Sequence, residues 1–449
     1  MSQPMPRRRL STLPLPLLAA LTGLLAAPLA GAQSLKALHE MAQGHDATFL
    51  AARATAESAR HRSAQAEALQ RPSVGLQSSY TRTGSDTPLY DTRANTAASV
   101  GLSATQSLYN RPNTLTIDKA RKAFDLAEAD LSSAEQDLTI RVAQAYFDVL
   151  IAQDALSTAR ASKASIGEQL ASARRNFEVG TATITDTREA QARFDLATAQ
   201  EIAADNDLRT KRLALEQLVG RPDVQPLGLR PAASLPEPGE RIETWVDKTE
   251  QSPPVRKARL AHEIARLETE RTQAGHLPTV DLQGQIASTN NRGTGAVSYG
   301  GAGTSRSNSV GVTLKMPLYS GEAIQNQVRE ALALEEKARN DLEAARRSVA
   351  QATRQLFLGV RSGSAQVRAL EAAETSSRLA LEATQLGYKV GVRVNLDVLN
   401  AQTQLYTTQR DLARSRYDVL LNSLRLRQAA GTLGASDIEA ISALLDAPR

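Results

Sequence analysis

The chain has 449 residues, a formal net charge of +5, 41% hydrophobic but only 4% aromatic residues, and no cysteine. Without cysteine there are no disulfides, no thiol metal ligands and no thiol to carry a lipid anchor; without a dense Lys/Arg cluster interleaved with aromatics, nucleic-acid binding has nothing specific behind it. Alanine supplies much of the apolar content, which suits close-packed helices better than one thick core.

At the N-terminus, Arg7-Arg8-Arg9, an apolar run over 15–29 and the small residues Ala30-Gly31-Ala32 read as a secretory signal over 1–32, with Gln33 starting the mature chain. Pro14, Pro16 and Pro28 and the shortness of the run argue against a transmembrane anchor. Beyond it no apolar run is long enough to span a bilayer as a helix, so a membrane role has to use strands.

The stretch 35–70 reads as a helix that stops at Pro72, because a residue before proline is pushed out of the helical region. The hydrophobic period then falls to two. Val74, Leu76, Ser78 and Tyr80 alternate with Gly75, Gln77, Ser79 and Thr81, and Val100, Leu102 and Ala104 alternate with Ser99, Gly101 and Ser103. These read as strands of about 9–11 residues with one apolar face, the length and pattern of a membrane barrel strand. A polar loop over 84–95 joins them into a hairpin at about 72–108. From 112 to 179 there is hardly a glycine, and Ala120, Phe124, Ala127, Leu131, Ala134 and Leu138, then Val142, Ala145, Val149, Ala152, Leu156 and Ala159, recur in steps of four and three. That is a coiled-coil seam with one stutter. A helix of nearly seventy residues is about 100 Å long, which no compact domain needs. After Gly180 the chain turns back into a shorter helix over 185–219.

Five prolines make 222–239 a stretched connector rather than a domain. Then the chain repeats itself. Pro278, Val280, Leu282 and Gln283 return Pro72, Val74, Leu76 and Gln77, and Ser309-Val310-Gly311-Val312 returns Ser99-Val100-Gly101-Leu102. This places a second hairpin at about 278–317, with a flexible Gly/Ser/Asn-rich loop over 289–308. Ala331, Ala338, Leu342, Ala345, Val349, Ala352 and Leu356 form the second long seam, with Glu335 its exception, and a helix over 395–430 returns from Gly391. Val179-Gly180, Asp186 and Ala190-Gln191 recur 211 residues later as Val390-Gly391, Asp397 and Ala401-Gln402. The chain is therefore read as a first repeat over 33–221, the connector over 222–239, a second repeat over 240–431 and a tail over 432–449 holding one small helix. Two repeats are too few for a solenoid, so a pseudo-symmetric protomer is expected.

Four strands cannot close a barrel, and an open apolar sheet in lipid leaves its edges unpaired. Two copies supply about eight strands, whose interior side chains fill; three supply about twelve and leave a lumen. The Ser, Gly, Thr and Gln residues of the second face suit a wet lumen, so a hollow homotrimer follows on geometry.

The element order, the duplication, Tyr388-x-Val390-Gly391-x-Arg393-x-x-x-Asp397-Val398-Leu399 and the close at Gly431-Thr432-Leu433 resemble the TolC family of outer-membrane ducts over about 33–445. The resemblance implies a mainly α fold with a transmembrane β-barrel part: a homotrimer with a barrel of about twelve strands in outer-membrane lipid and a long α-helical barrel in the periplasm. It implies as partners a periplasmic adaptor (membrane fusion) protein and an inner-membrane transporter, an ABC transporter or a proton-driven pump, and no cofactor. The function implied is that of a passive channel-tunnel for type I protein secretion, drug efflux or both. The missing lipid-acceptor cysteine and the ending over 431–445 are closer to the type I secretion branch.

Carried over by motif, links at the periplasmic tip would join Thr185 and Asp186 of the first repeat to Tyr388 and Arg393 of the second, beside the turns at Gly180 and Gly391. Arg393 can hold a carboxylate by a charge-assisted bond. Asp397 would form an acidic constriction whose like charges select cations; Asn400 stands where the family pattern carries a second acid, which weakens that selectivity. Read without the resemblance, Asp186 and Asp397 are acids in helix first turns, with Thr183 and Asn395 as caps.

Enzyme signatures fail. His262-Glu263-Ile264-Ala265-Arg266 lacks the second histidine of a zinc protease helix, Gly300-Gly301-Ala302-Gly303 has no phosphate-binding lysine, and no serine nucleophile has a recognisable setting. No catalytic residue and no metal site is assigned. The rival reading is a soluble periplasmic coiled-coil adaptor without a pore, which leaves the amphipathic hairpins without a task.

Overall fold

The computed structural model describes residues 33–87, 90–230, 235–293 and 302–445. The signal segment 1–32 lies outside the described residues, as do most of the loop between the second pair of strands and the last four residues.

The single helix expected over 35–70 is two helices, α1 (Leu35–His45) and α2 (Ala47–Glu67), followed by a 3-10 turn at 68–70. Asp46 makes the break. Its carboxylate accepts from the Phe49 N–H at 2.7 Å, capping α2, and from Nη1 and Nη2 of Arg141 at 2.8 and 2.9 Å. Aspartate competes for local backbone donors, and here the cap wins over helix continuation.

Four strands follow in two pairs: β1 (Ser73–Thr87), β2 (Tyr90–Tyr109), β3 (Thr279–Arg292) and β4 (Gly303–Lys315). They form one antiparallel sheet in the order β1-β2-β3-β4, so the two hairpins join side by side and β1 and β4 are its edges. Leu76 pairs with Leu102, Leu102 with Ile286, and Leu282 with Val312. Directly opposed residues share a face, so the period-two pattern of each strand adds to one continuous apolar surface. That surface is uncovered in the protomer: Val310 is 83% exposed, Tyr80 74% and Val74 73%.

The strands are longer than expected, 15, 20, 14 and 13 residues against about 9–11. Most of the loop expected over 84–95 and the flanks of that expected over 289–308 are strand. Ladder hydrogen bonds continue where neither face is apolar, so the alternation disappears from the sequence while the strand does not.

From the sheet run two very long helices, α3 (Arg111–Glu178, 68 residues) and α7 (Ala323–Lys389, 67 residues), each about 100 Å long. The chain returns in α4 (Ile184–Val219) and α8 (Asn395–Ala429). Between the repeats lie α5 (Ile242–Lys248) and α6 (Pro253–Gln273), and α9 (Ala435–Ser442) is the small helix expected in the tail. The α3 seam is buried at Leu138, Val142, Val149, Ala152 and Leu156 but only half-buried above, at Ala120, Phe124, Ala127 and Leu131. The long helices pack in the row α4-α3-α8-α7.

The main core lies at the middle of α3, where α1, α4, α8 and α9 converge on Tyr146, Phe147, Leu215 and Leu420. The Phe147 and Tyr417 rings stack 5.9 Å apart. The described parts of the connector hold no helix, and its first half is pinned: Gln33 bridges to Pro226, Leu229 to Leu445, and the Tyr146 hydroxyl donates to the Leu227 carbonyl at 2.9 Å.

Arg141 holds the Asp46 carboxyl below its ordinary range. A depressed carboxylate contributes stability above its unfolded pKa and loses it as pH falls through the folded one. Asp46→Ala is expected to cost about 2 kcal/mol at neutral pH through the lost cap and the stranded Arg141, read as earlier helix melting in detergent. Asp46→Asn should keep part of the cap and flatten the decline in stability below about pH 4.

Candidate functional site

The far ends of the helices form a tip built twice. In each repeat the long helix closes with glycine in the left-handed region, Gly180 at φ +76 and Gly391 at φ +79. The residues after it fold back onto the last turn: the Thr181 and Ala182 N–H groups donate to the Asn176 carbonyl, and the Val392 and Arg393 N–H groups to the Gly387 carbonyl. A side chain at either glycine would be strained, and this wrapped closure is what the positive φ permits.

The two turns then diverge. In the first, Thr183 caps α4: its hydroxyl accepts from the Asp186 N–H, and Asp186 Oδ2 accepts from the Thr183 N–H at 3.0 Å and its hydroxyl at 2.7 Å. This capping box occupies the Asp186 carboxylate within its own turn. In the second, Val394 precedes α8 and no side chain caps it. Asp397 instead lies 3.6 Å from Arg393, and the Arg393 stem packs over Gly387, where no Cβ stands in its way.

Within one protomer, then, Thr185 and Asp186 are not brought to Tyr388 and Arg393. The Tyr388 hydroxyl accepts from Asn176 Nδ2 at 3.2 Å. Thr185 and Arg393 are exposed. Asn400 Oδ1 accepts from Arg193 at 3.1 Å, which ties it to the first repeat. Thr183 caps its helix as expected. Asn395 does not: it is 1% exposed, accepts from Gln169 Nε2 at 2.5 Å and donates to the Asp186 carbonyl at 3.3 Å. Further along α8, Gln402 is 2% exposed and donates to Ser165 Oγ at 2.8 Å. The sequence reading passed over Asn395, Gln402, Gln169 and Ser165 as contacts; the polar positions 395 and 402, one heptad apart beside buried Leu399, are the signal that was available.

Among the described residues no group of three or more His, Asp or Glu is placed to hold a metal, and no helix is long and apolar enough to cross a membrane. The chemistry of the tip is hydrogen bonding and charge between helices.

The sequence profile of the outer membrane efflux protein family matches residues 38–221 and 247–432. Outer membrane protein TolC of Vibrio cholerae is 34% identical over 417 residues, spanning 92% of this chain and 94% of that protein. Alkaline protease secretion protein AprF of Pseudomonas aeruginosa is 36% identical over 327 residues, 71% of this chain and 66% of that one. The crystal structure of outer membrane protein VceC from Vibrio cholerae superposes with a TM-score of 0.76 at 20% identity, covering 88% and 96% of the two chains.

Removal of the box by Asp186→Ala is expected to cost the start of α4 about 1 kcal/mol, measured as faster amide exchange over 184–187. Arg393→Ser, which breaks an exposed pair, should change unfolding by less than about 0.5 kcal/mol.

Proposed function

The chain belongs to the outer membrane efflux protein family, and from that premise we propose that its copies close head to tail into a trimeric duct gated at the helical tip. It is an outer-membrane channel for export. The family is one of channels and not of enzymes, and a soluble adaptor leaves the uncovered apolar sheet face unexplained.

The observation that carries the trimer is that every edge of the protomer is unfinished in the same sense. The sheet ends on β1 from the first repeat and β4 from the second; the helix row ends on α4 from the first and α7 from the second. Both outer helices carry a second, exposed seam. On α7 it runs Leu358, Ala365, Ala372, Leu379 and Leu386 at intervals of seven; on α4 it runs Ala192, Leu196, Ala199 and Ala203 in fours and threes, with exposed Leu213 further along. A strand edge that must pair and a helix seam that must pack, each offered to the opposite edge of the next copy, make a heterologous ring. Three copies give about twelve strands and a lumen lined by Gln77, Ser79, Ser103, Gln285 and Thr313, whereas two give a filled interior.

Ring closure sets α4 beside α7 of the next copy, which carries Thr185 and Asp186 toward that copy's Arg393. The gate links are thus contacts between copies, with Tyr388 held from inside by Asn176. Asp397 and Asn400, one turn apart, narrow the aperture. The repeat units 33–221 and 240–431 supply one helix hairpin each to the tip. A periplasmic adaptor and an inner-membrane transporter, an ABC transporter or a proton-driven pump, complete the system. The likeness to a protease secretion protein favours type I secretion as its use.

The two sheet faces give the test. Leu76→Arg or Val312→Arg sets a charge in lipid at a cost of about 2–4 kcal/mol per copy and is expected to remove the protein from the outer-membrane fraction. Gln77→Arg or Thr313→Arg should leave it there and alter only conductance. Equal tolerance of both faces contradicts the barrel. For the gate, Arg393→Ser is expected to raise single-channel conductance and Asp397→Ala to weaken cation preference; unchanged conductance and selectivity would remove these residues from it.

A further inference from the structure

We infer that Asn395 is a positioning residue of the gate: it latches α8 of the second repeat onto α3 and α4 of the first, and so sets the aperture from within each copy. This rests on the channel reading above.

Asn395 occupies the first turn of α8, where a helix usually spends such a side chain on its own N–H groups. Here the helix start is left without a side-chain cap, and both ends of the amide cross to other elements: Oδ1 to Gln169 on α3 and Nδ2 to the Asp186 carbonyl on α4. Leu399, fully buried, follows one turn later against Ile166 and Leu170, and Gln402 then donates to Ser165. The face of α8 toward the first repeat therefore reads amide, leucine, amide. By the duplication, Asn395 corresponds to Ile184, which is 49% exposed and bridges nothing. The latch belongs to one repeat only and breaks the pseudo-symmetry at the tip.

A buried amide in a helix seam fixes register, because any other register strands a donor and an acceptor away from water. Leucine would hold α8 in several registers. An amide also releases at low cost, since water satisfies the same groups once the seam parts. Specific closure with easy release is what a partner-opened gate needs. It also explains why the carboxylate of Asp186 is bound in its own cap: the cap holds the Asp186 carbonyl where Asn395 can reach it.

The test is single-channel conductance of the purified full chain in planar bilayers, with native mass measured in parallel. Asn395→Ala and Gln169→Ala are each expected to raise conductance several-fold in particles of unchanged mass, and the double variant to add little beyond either, since the two side chains form one contact. Asn395→Asp separates the latch from the helix: an acid suits a helix first turn but cannot donate to the Asp186 carbonyl when ionised. It should open the channel at neutral pH while amide exchange in α8 stays protected. If Asn395→Ala does not assemble, Asn395→Asp decides. Conductance of Asn395→Asp equal to the unaltered protein, with Arg393→Ser still opening it, overturns the latch and leaves the channel standing. No channel from the unaltered protein overturns both.

Discussion

The structure depends on one constraint, that a backbone N–H or C=O cannot be left unpaired in lipid. A four-stranded sheet with an apolar face and two free edges has no stable place alone, neither in water nor in a bilayer. The rest of the protomer is likewise left with open edges, which is what the proposed trimer would close. The duplication supplies matching but non-identical edges, and in the proposed ring a head-to-tail contact would pair β4 with the β1 of the next copy. The long helices suit the same closure, because they leave the sheet in a row that ends on α4 and α7, the edges the proposed ring would join.

The mid-level core is what lets such slender parts hold together. A two-helix hairpin buries little per residue, and the tip clusters are small, with Leu381, Val398 and Leu405 on one side and Ile166, Leu170 and Leu399 on the other. The convergence of α1, α3, α4, α8 and α9 around Tyr146 and Phe147, tightened by the connector and the Asp46–Arg141 pair, is the one thick region. Apolar burial concentrates there and thins toward the tip, the end the proposed gate would move. Polar contacts take over as the apolar ones thin: Gln402 to Ser165, Asn395 to Gln169 and Asp186, Asn176 to Tyr388.

Much of this was legible in the sequence, for reasons that can be stated residue by residue. Val74, Leu76 and Tyr80 alternate because one face of the sheet is apolar and the other polar, and Leu138, Val142 and Val149 recur because helices cover them. Where neither force acts, the signal vanished: the polar outer halves of the strands read as loops, and the break at Asp46 was hidden inside a good helical composition. The tip was half legible. Gly180, Gly391 and the Thr183 cap announce themselves by backbone need, but Asn395 looks like a cap from its position, and only the path of Gln169 and Asp186 beside it shows that it faces inward. Contacts between distant helices leave no local pattern, so Asp186 and Arg393 could be paired from family likeness and not from the chain itself. Nor does one protomer bring them together.

The most direct measurement is the native mass of the protein extracted from outer membranes in detergent, corrected for bound detergent. Three chains per particle, dependent on detergent for solubility, is the expected result of a closed barrel. A monomer or dimer that stays soluble without detergent would contradict it.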